Sequence, residues 1–246
     1  MINYSRNWLF IEPAEQESLA ELTVFIMGVG IGSVFAELAL RTGIRKFILA
    51  DGDTVDESNL NRQNYTKLDI EQSKAHACAA RLRAIDPDVQ IVVIDSYLDE
   101  TSMKECIPKA DVVINTIDFD SPAFPVAGRL CRQFRKLELF PMNLGFGSSV
   151  CVFLPESPTW ESYFPDQDHV ALKHSILMHI AGKCAHPYLH EAFGRYQAGE
   201  RKSYDPQLAV SSSISSTLMM GIILRKIKGK EIQAFPEFYH LDPFEV

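Results

Sequence analysis

With 246 residues, 46% apolar and 23% charged, the chain is long enough to bury a substantial core as one α/β domain spanning 1–246. A formal charge of −8 argues against a broad nucleic-acid or anionic-membrane footprint, so neither nucleic acid nor membrane is expected as a partner. No run approaches ~18 uninterrupted apolar residues, the opening MINYSRNWLF lacks a basic start before a long apolar core, and the five cysteines form no Cys-x-x-Cys pair. These features predict a cytoplasmic protein with reduced thiols.

In chain order, LTVFIM (22–27) reads as a strand, GSVFAELALRTG (32–43) as a helix stopped by Gly43, and KFILA (46–50) as the next strand. A helix over 71–85 feeds a strand at 89–94; DVVINT (111–116), a helix near 124–135 and LELFPM (137–142) continue the alternation. Strands alternating with helices predict a Rossmann-like, doubly wound, mostly parallel sheet covered on both faces. After SSVCVFLP (148–155) the rhythm fails. Residues 156–207, rich in Pro, His, Tyr and Phe, read as a substrate-binding insertion of loop and short helices before a C-terminal helix over 208–229.

The first chemical signal is GVGIGS between the first strand and its helix. Gly28 suits a tight turn, and Gly30 suits close approach of a phosphate to backbone amides at a helix N-terminus. Asp51, at the end of the second strand, stands where an acid accepts hydrogen bonds from ribose hydroxyls, and Asp53 follows it. Beyond them, SNLNRQ supplies Asn59, Arg62 and Gln63, donors that suit a triphosphate better than a dinucleotide.

An acid at a strand end followed by Ser-Asn-Leu-x-Arg-Gln resembles the ThiF/MoeB/HesA family, the adenylating fold shared with ubiquitin-activating enzymes. The resemblance extends to YSRN (4–7), to Lys74 in EQSKAHA and to Asp118 in VVINTIDF, covering residues 4–155. It implies an ATP-dependent adenylyltransferase that activates a carboxylate as an acyl-adenylate and releases pyrophosphate. The carboxylate would belong to a carrier protein, a peptide C-terminus or a small molecule. By the same resemblance Asp51 holds the ribose, Asn59 and Arg62 the phosphates with Gln63 beside them, Lys74 the α-phosphate region, and Asp118 a Mg²⁺. Arg6 would enter the active site of the other subunit of a homodimer as an arginine finger.

The chain also departs from the family pattern. The family loop, Gly-x-Gly-Gly-x-Gly-Ser, is one residue longer than this one when the strands are aligned, and Phe119 stands where Asn commonly follows the aspartate. No paired cysteines follow residue 155, so the structural zinc of many relatives is not expected. Taken singly, Arg62 reads as a surface ion-pair residue, Lys74 as a solvated helix residue, Asp118 as a loop cap and Arg6 as a terminal charge. An NAD-dependent oxidoreductase and a catalytically inactive nucleotide-binding adaptor stay open as alternatives. Cys131 and Cys151 fall in core-like patterns, whereas Cys184, flanked by Lys183 and His186, is the one candidate for an acyl-accepting thiol. Cys184, His186 and His190 make only a weak metal pattern.

Overall fold

The computed structural model describes residues 2–165, 168–184, 186–199 and 205–244; residues 166, 167, 185 and 200–204 of the 156–207 segment lie outside the described residues. A 3₁₀ turn at Ser5–Asn7 leads to α1 (Pro13–Glu21), β1 (Thr23–Met27), α2 (Gly32–Thr42) and β2 (Lys46–Ala50). Next come α3 (Lys74–Ile85), β3 (Gln90–Ile94), α4 (Glu100–Cys106), β4 (Val112–Asn115), α5 (Ala123–Gln133), β5 (Leu137–Leu144) and β6 (Gly147–Phe153). The chain continues through α6 (Trp160–Tyr163), α7 (His169–Ala181), α8 (Pro187–Gln197), α9 (Ala209–Ile227) and β7 (Phe238–Leu241).

The strands form one seven-stranded sheet in the order β3-β2-β1-β4-β5-β6-β7. From β3 to β5 all pairs are parallel, as the strand–helix alternation predicts. The far edge differs, because β6 pairs antiparallel with both β5 and β7. Only Gly145 and Phe146 separate β5 from β6, too little chain for the crossover that parallel pairing needs, so the strand folds back as a hairpin.

Alternation along β1 divides the core. Val24 and Ile26 face one layer, where α2, α3 and α9 pack, while Phe25 and Met27 face the other with Met103 of α4 and Leu130 of α5. A separate apolar cluster joins Phe140, Cys151 and Phe153 of β5 and β6 to Trp160 of α6, Ile176 of α7 and Leu189 of α8. Helices α6, α7 and α8 are therefore anchored on the β5–β6 edge of the sheet through a cluster separate from the main core.

Several local expectations are corrected. The third helix starts at Lys74, not 71, because Glu71 adopts φ 67° and the Ser73 side chain caps the helix by accepting from the His76 amide. α1 is unforeseen although it carries Pro at its first turn and a reciprocal Glu12–Glu15 capping box. The short α4 and β7 were also not anticipated.

Strand register places the functional loops. Met27 is level with Ala50 on β2 and with Asn115 on β4, so the next residues, Gly28, Asp51 and Thr116, emerge side by side at the carboxyl edge. Strand order reverses between β1 and β4, and ligands of open α/β sheets bind at that switch point.

Candidate active site

The glycine loop crosses this switch point in contact with β4. Gly28 has φ 96°, and a Cβ there would stand 2.4 Å from the carbonyl oxygen of Thr116. Thr116 returns the contact by donating its hydroxyl to the carbonyl oxygens of Met27 (3.1 Å) and Gly28 (2.5 Å). Gly30 serves differently. Its missing side chain makes room for Gln63, whose Nε2 would be 3.2 Å from a Cβ at that position.

The acids after β2 knit these pieces together. Asp51 accepts from the Val29 amide through Oδ2 (2.8 Å) and from the Asp53 amide through Oδ1 (2.9 Å). Burial raises its carboxyl above the ordinary range, against the lowering effect of those amides and of Lys74. Asp53 behaves oppositely: burial acts upward, but hydrogen bonds from Tyr97 and Lys74 outweigh it and hold the carboxyl below its ordinary value. Lys74, only 8% exposed, places Nζ 2.9 Å from Asp53 Oδ2 while its own amide donates to the Asp53 carbonyl (2.9 Å).

Residues that the sequence reading passed over complete the frame. Tyr65, two positions after Gln63, donates its buried hydroxyl to the carbonyls of Val29 (2.7 Å) and Lys74 (3.1 Å), tying the glycine loop to the start of α3. Tyr97, just past the end of β3, donates to Asp53 and lies across Gly52. Position at the carboxyl end of a parallel strand was the available signal for Tyr97.

Asn59 and Arg62 sit in the turn after β2. The Oδ1 of Asn59 accepts from the Asp56 amide (3.0 Å), closing a one-turn 3₁₀ helix. Arg62 donates Nε to the side chain of Gln207 (2.8 Å) and one terminal nitrogen to Ser58 and Asn61 oxygens. Its partners are neutral, and among the described residues no carboxylate pairs with it. Partial burial lowers its pKa.

Asp118 lies exposed on the loop after β4, where Oδ1 accepts from the Asp120 amide (2.9 Å) and Oδ2 has no partner among the described residues. Thr116 thus links this loop to Gly28, two residues before the acid. From the insertion, Lys173 of α7 pairs with Asp120 (2.5 Å) and His169 contacts the Asp120 carbonyl (2.9 Å).

Arg6 is not brought to this site. Its turn is tied to the carboxyl end of α2, by Tyr4 Oη to the Leu40 carbonyl (2.8 Å) and Asn7 Nδ2 to the Thr42 carbonyl (3.3 Å). The glycine loop adjoins the other end of that 11-residue helix, about 16 Å away along its axis. Arg6 is exposed and makes no hydrogen bond or ion pair among the described residues. Cys184, the candidate acyl-accepting thiol, is buried in the same apolar cluster as Cys151, and the other three cysteines are buried too. Nor do Cys184, His186 and His190 converge; among the described residues no three His, Cys, Asp or Glu side chains gather as a metal site.

The chain is similar to known proteins in sequence and in fold. Over 164 residues it is 29% identical to the sulfur carrier protein ThiS adenylyltransferase of Escherichia coli strain K12, covering 65% of this chain and 64% of that protein. Over 171 residues it is 27% identical to the SAMP-activating enzyme E1 of Haloferax volcanii, covering 66% of this chain and 62% of that enzyme. The chain thus spans under two thirds of the length of either relative. The crystal structure of E. coli MccB with MccA-N7isoASN superposes with a TM-score of 0.71 at 17% identity, covering 94% of this chain and 64% of that one. Among the described residues no helix is long and apolar enough to cross a membrane. The ThiF family pattern matches residues 4–246, and the chain belongs to the ThiF family.

Proposed function

We propose that this protein is an ATP-dependent adenylyltransferase that activates the C-terminal carboxylate of a small carrier protein. The observation that carries the reading is a single network joining the glycine loop, Asp51, Asp53 and Lys74, beside an Arg62 guanidinium whose partners among the described residues are all neutral. The names of the adenylyltransferase and activating-enzyme relatives favour a carrier-protein tail over a small molecule. An NAD-dependent oxidoreductase has no comparable use for the arginine.

ATP laid across the switch point would place its ribose at Asp51, with Asp53 alongside, and its triphosphate along the loop of Gly28 and Gly30 toward Asn59, Arg62, Gln63 and Lys74. A substrate carboxylate oxygen attacks the α-phosphorus. A new P–O bond forms as the bond to the β-phosphate bridging oxygen breaks; pyrophosphate departs with the electron pair and the acyl-adenylate remains. The protein supplies position and charge rather than a nucleophile. Arg62 and Lys74 offset the phosphate charge, and Lys74 retains donors beyond the one given to Asp53. The open oxygen of Asp118 suits Mg²⁺, a hard cation held by one or two carboxylates together with substrate phosphates, and the bound ion would neutralise those phosphates.

The active form in this reading is a homodimer in the cytoplasm, with Arg6 completing the partner's site. Two observations support it. Arg6 is tethered at the end of α2 remote from its own glycine loop. Next to it stand Trp8, Leu9 and Phe10, 67%, 70% and 78% exposed, a contiguous apolar patch suited to burial against a second copy.

Carboxylate-dependent exchange of pyrophosphate into ATP, with candidate carrier proteins as substrates, tests the reaction. Tight NAD binding without ATP binding in calorimetry would overturn it. Co-refolding inactive Arg6→Ala and Asp118→Ala chains tests the shared site: random pairing should restore about a quarter of all sites. Mixed dimers without recovered activity would place Arg6 in its own subunit.

A further inference from the structure

Behind the Asp118 loop, on the α5 face of the sheet, lies a buried acid that the proposed chemistry leaves without a task. Glu138 on β5 is fully buried and level with Val113 of β4, so it shares a face with Asn115, two residues along that strand. Its Oε1 accepts from Asn115 Nδ2 (2.8 Å), and its Oε2 pairs with Arg132 (3.1 Å). The Arg132 guanidinium is itself fixed by the carbonyls of Lys136 (3.1 Å) and Phe153 (3.2 Å) and by the Phe153 ring.

Asn115 is the last residue of β4, and its Nδ2 also donates to the carbonyl of Phe124 in the first turn of α5 (3.0 Å). One amide group therefore clasps both ends of the loop that carries Asp118. Thr116 ties the start of the loop to Met27 and Gly28, and beyond it the bonds are local, from the amides of Asp120 and Ser121 to Asp118 and from that of Ala123 to Ser121. Its outer side is gripped by Lys173 and His169.

Burying a carboxylate and a guanidinium rarely adds stability over an apolar pair of similar volume. Burial raises the Glu138 carboxyl even against Arg132 and Asn115. Asn115 Oδ1 has no hydrogen-bond partner among the described residues, where the Nδ2 contacts alone set the amide's orientation. We infer that Glu138 is a positioning residue: through Asn115 it holds the loop between β4 and α5 in the conformation that presents Asp118. The role rests on the adenylation reading only through Asp118.

Glu138→Gln keeps the volume but replaces one acceptor oxygen with a donor. Hydrogen exchange on the full chain without substrate is the first measurement. The amides of residues 116–124 should exchange at least about tenfold faster than in the parent, the scale of one charge-assisted hydrogen bond, while those of β1 and β2 keep their rates. Unchanged exchange in 116–124, or acceleration spread equally over the sheet, overturns the inference. Asn115→Ala breaks the same link from the other side and takes over the test if Glu138→Gln does not fold. In pyrophosphate exchange both variants should lower kcat with little change in KM for ATP, whereas damage that merely reduces the folded fraction would leave kcat per folded site intact and refute the role. If the parent protein itself shows no exchange, the adenylation reading fails, and the hydrogen-exchange result still decides what Glu138 does.

Discussion

The two glycines of GVGIGS look equivalent in the sequence but carry different loads, and alanine at each position separates them. At Gly28 an alanine must adopt φ 96°, and its Cβ would stand 2.4 Å from a carbonyl oxygen of the neighbouring strand end. A left-handed non-glycine conformation costs roughly 1–2 kcal/mol and overpacking against backbone adds about 1–3 kcal/mol. A total near 3 kcal/mol lowers the melting temperature of a chain of this length by roughly 6–12 °C. At Gly30 the φ is ordinary and the obstacle, 3.2 Å away, is the tip of the Gln63 side chain. Displacing that tip should cost about 1 kcal/mol or less, a shift under roughly 4 °C. Thermal unfolding followed by circular dichroism reads both. Because Gly28 touches Thr116, two residues before Asp118, the Gly28→Ala protein should also lose metal-dependent turnover beyond its loss of folded fraction. Equal melting temperatures for the two variants would refute the close approach of β1 and β4 at the switch point.

Asp118→Asn, at an exposed loop position, should melt within about 0.5 kcal/mol of the parent yet lose exchange activity about a hundredfold, as expected when one preorganised charge contact is removed. Undiminished exchange would assign the metal to another acid. All five cysteines are buried, and burial pushes the Cys78 thiol up to about 12, so a thiol reagent should label none of them in the native protein and all of them in denaturant. Rapid native labelling of Cys184 would reopen its role as an acyl acceptor. For Asp53 the folded carboxyl lies below its ordinary value of 3.8, so the unfolded chain binds the proton more readily. The stabilisation is present above that value and fades as pH falls through the lower folded value. Urea midpoints of parent and Asp53→Asn should therefore converge in strong acid, and a constant gap would contradict the assignment.

Much of this arrangement was legible from local pattern. The strand–helix alternation, the cap at Gly43, the turn at Gly28 and the acid at the end of β2 follow from side-chain periodicity and turn chemistry acting over a few residues. Those rules carry no information about which distant segments meet. The antiparallel edge was settled by a two-residue connection, and β7 is a four-residue strand that gains its place by pairing with β6. Arg62 finds Gln207 across 145 positions, and Asn115 finds Glu138 because the β4–β5 register sets them on one face. Cys184 looked reactive beside Lys183 and His186, yet the packing of α7 and α8 on β5 and β6 buries it. Arg6 sits beside the carboxyl end of α2, and that helix fixes its distance from the glycine loop. In each case the sequence specified the chemical group, and burial and neighbours acquired only on folding specified what that group can reach.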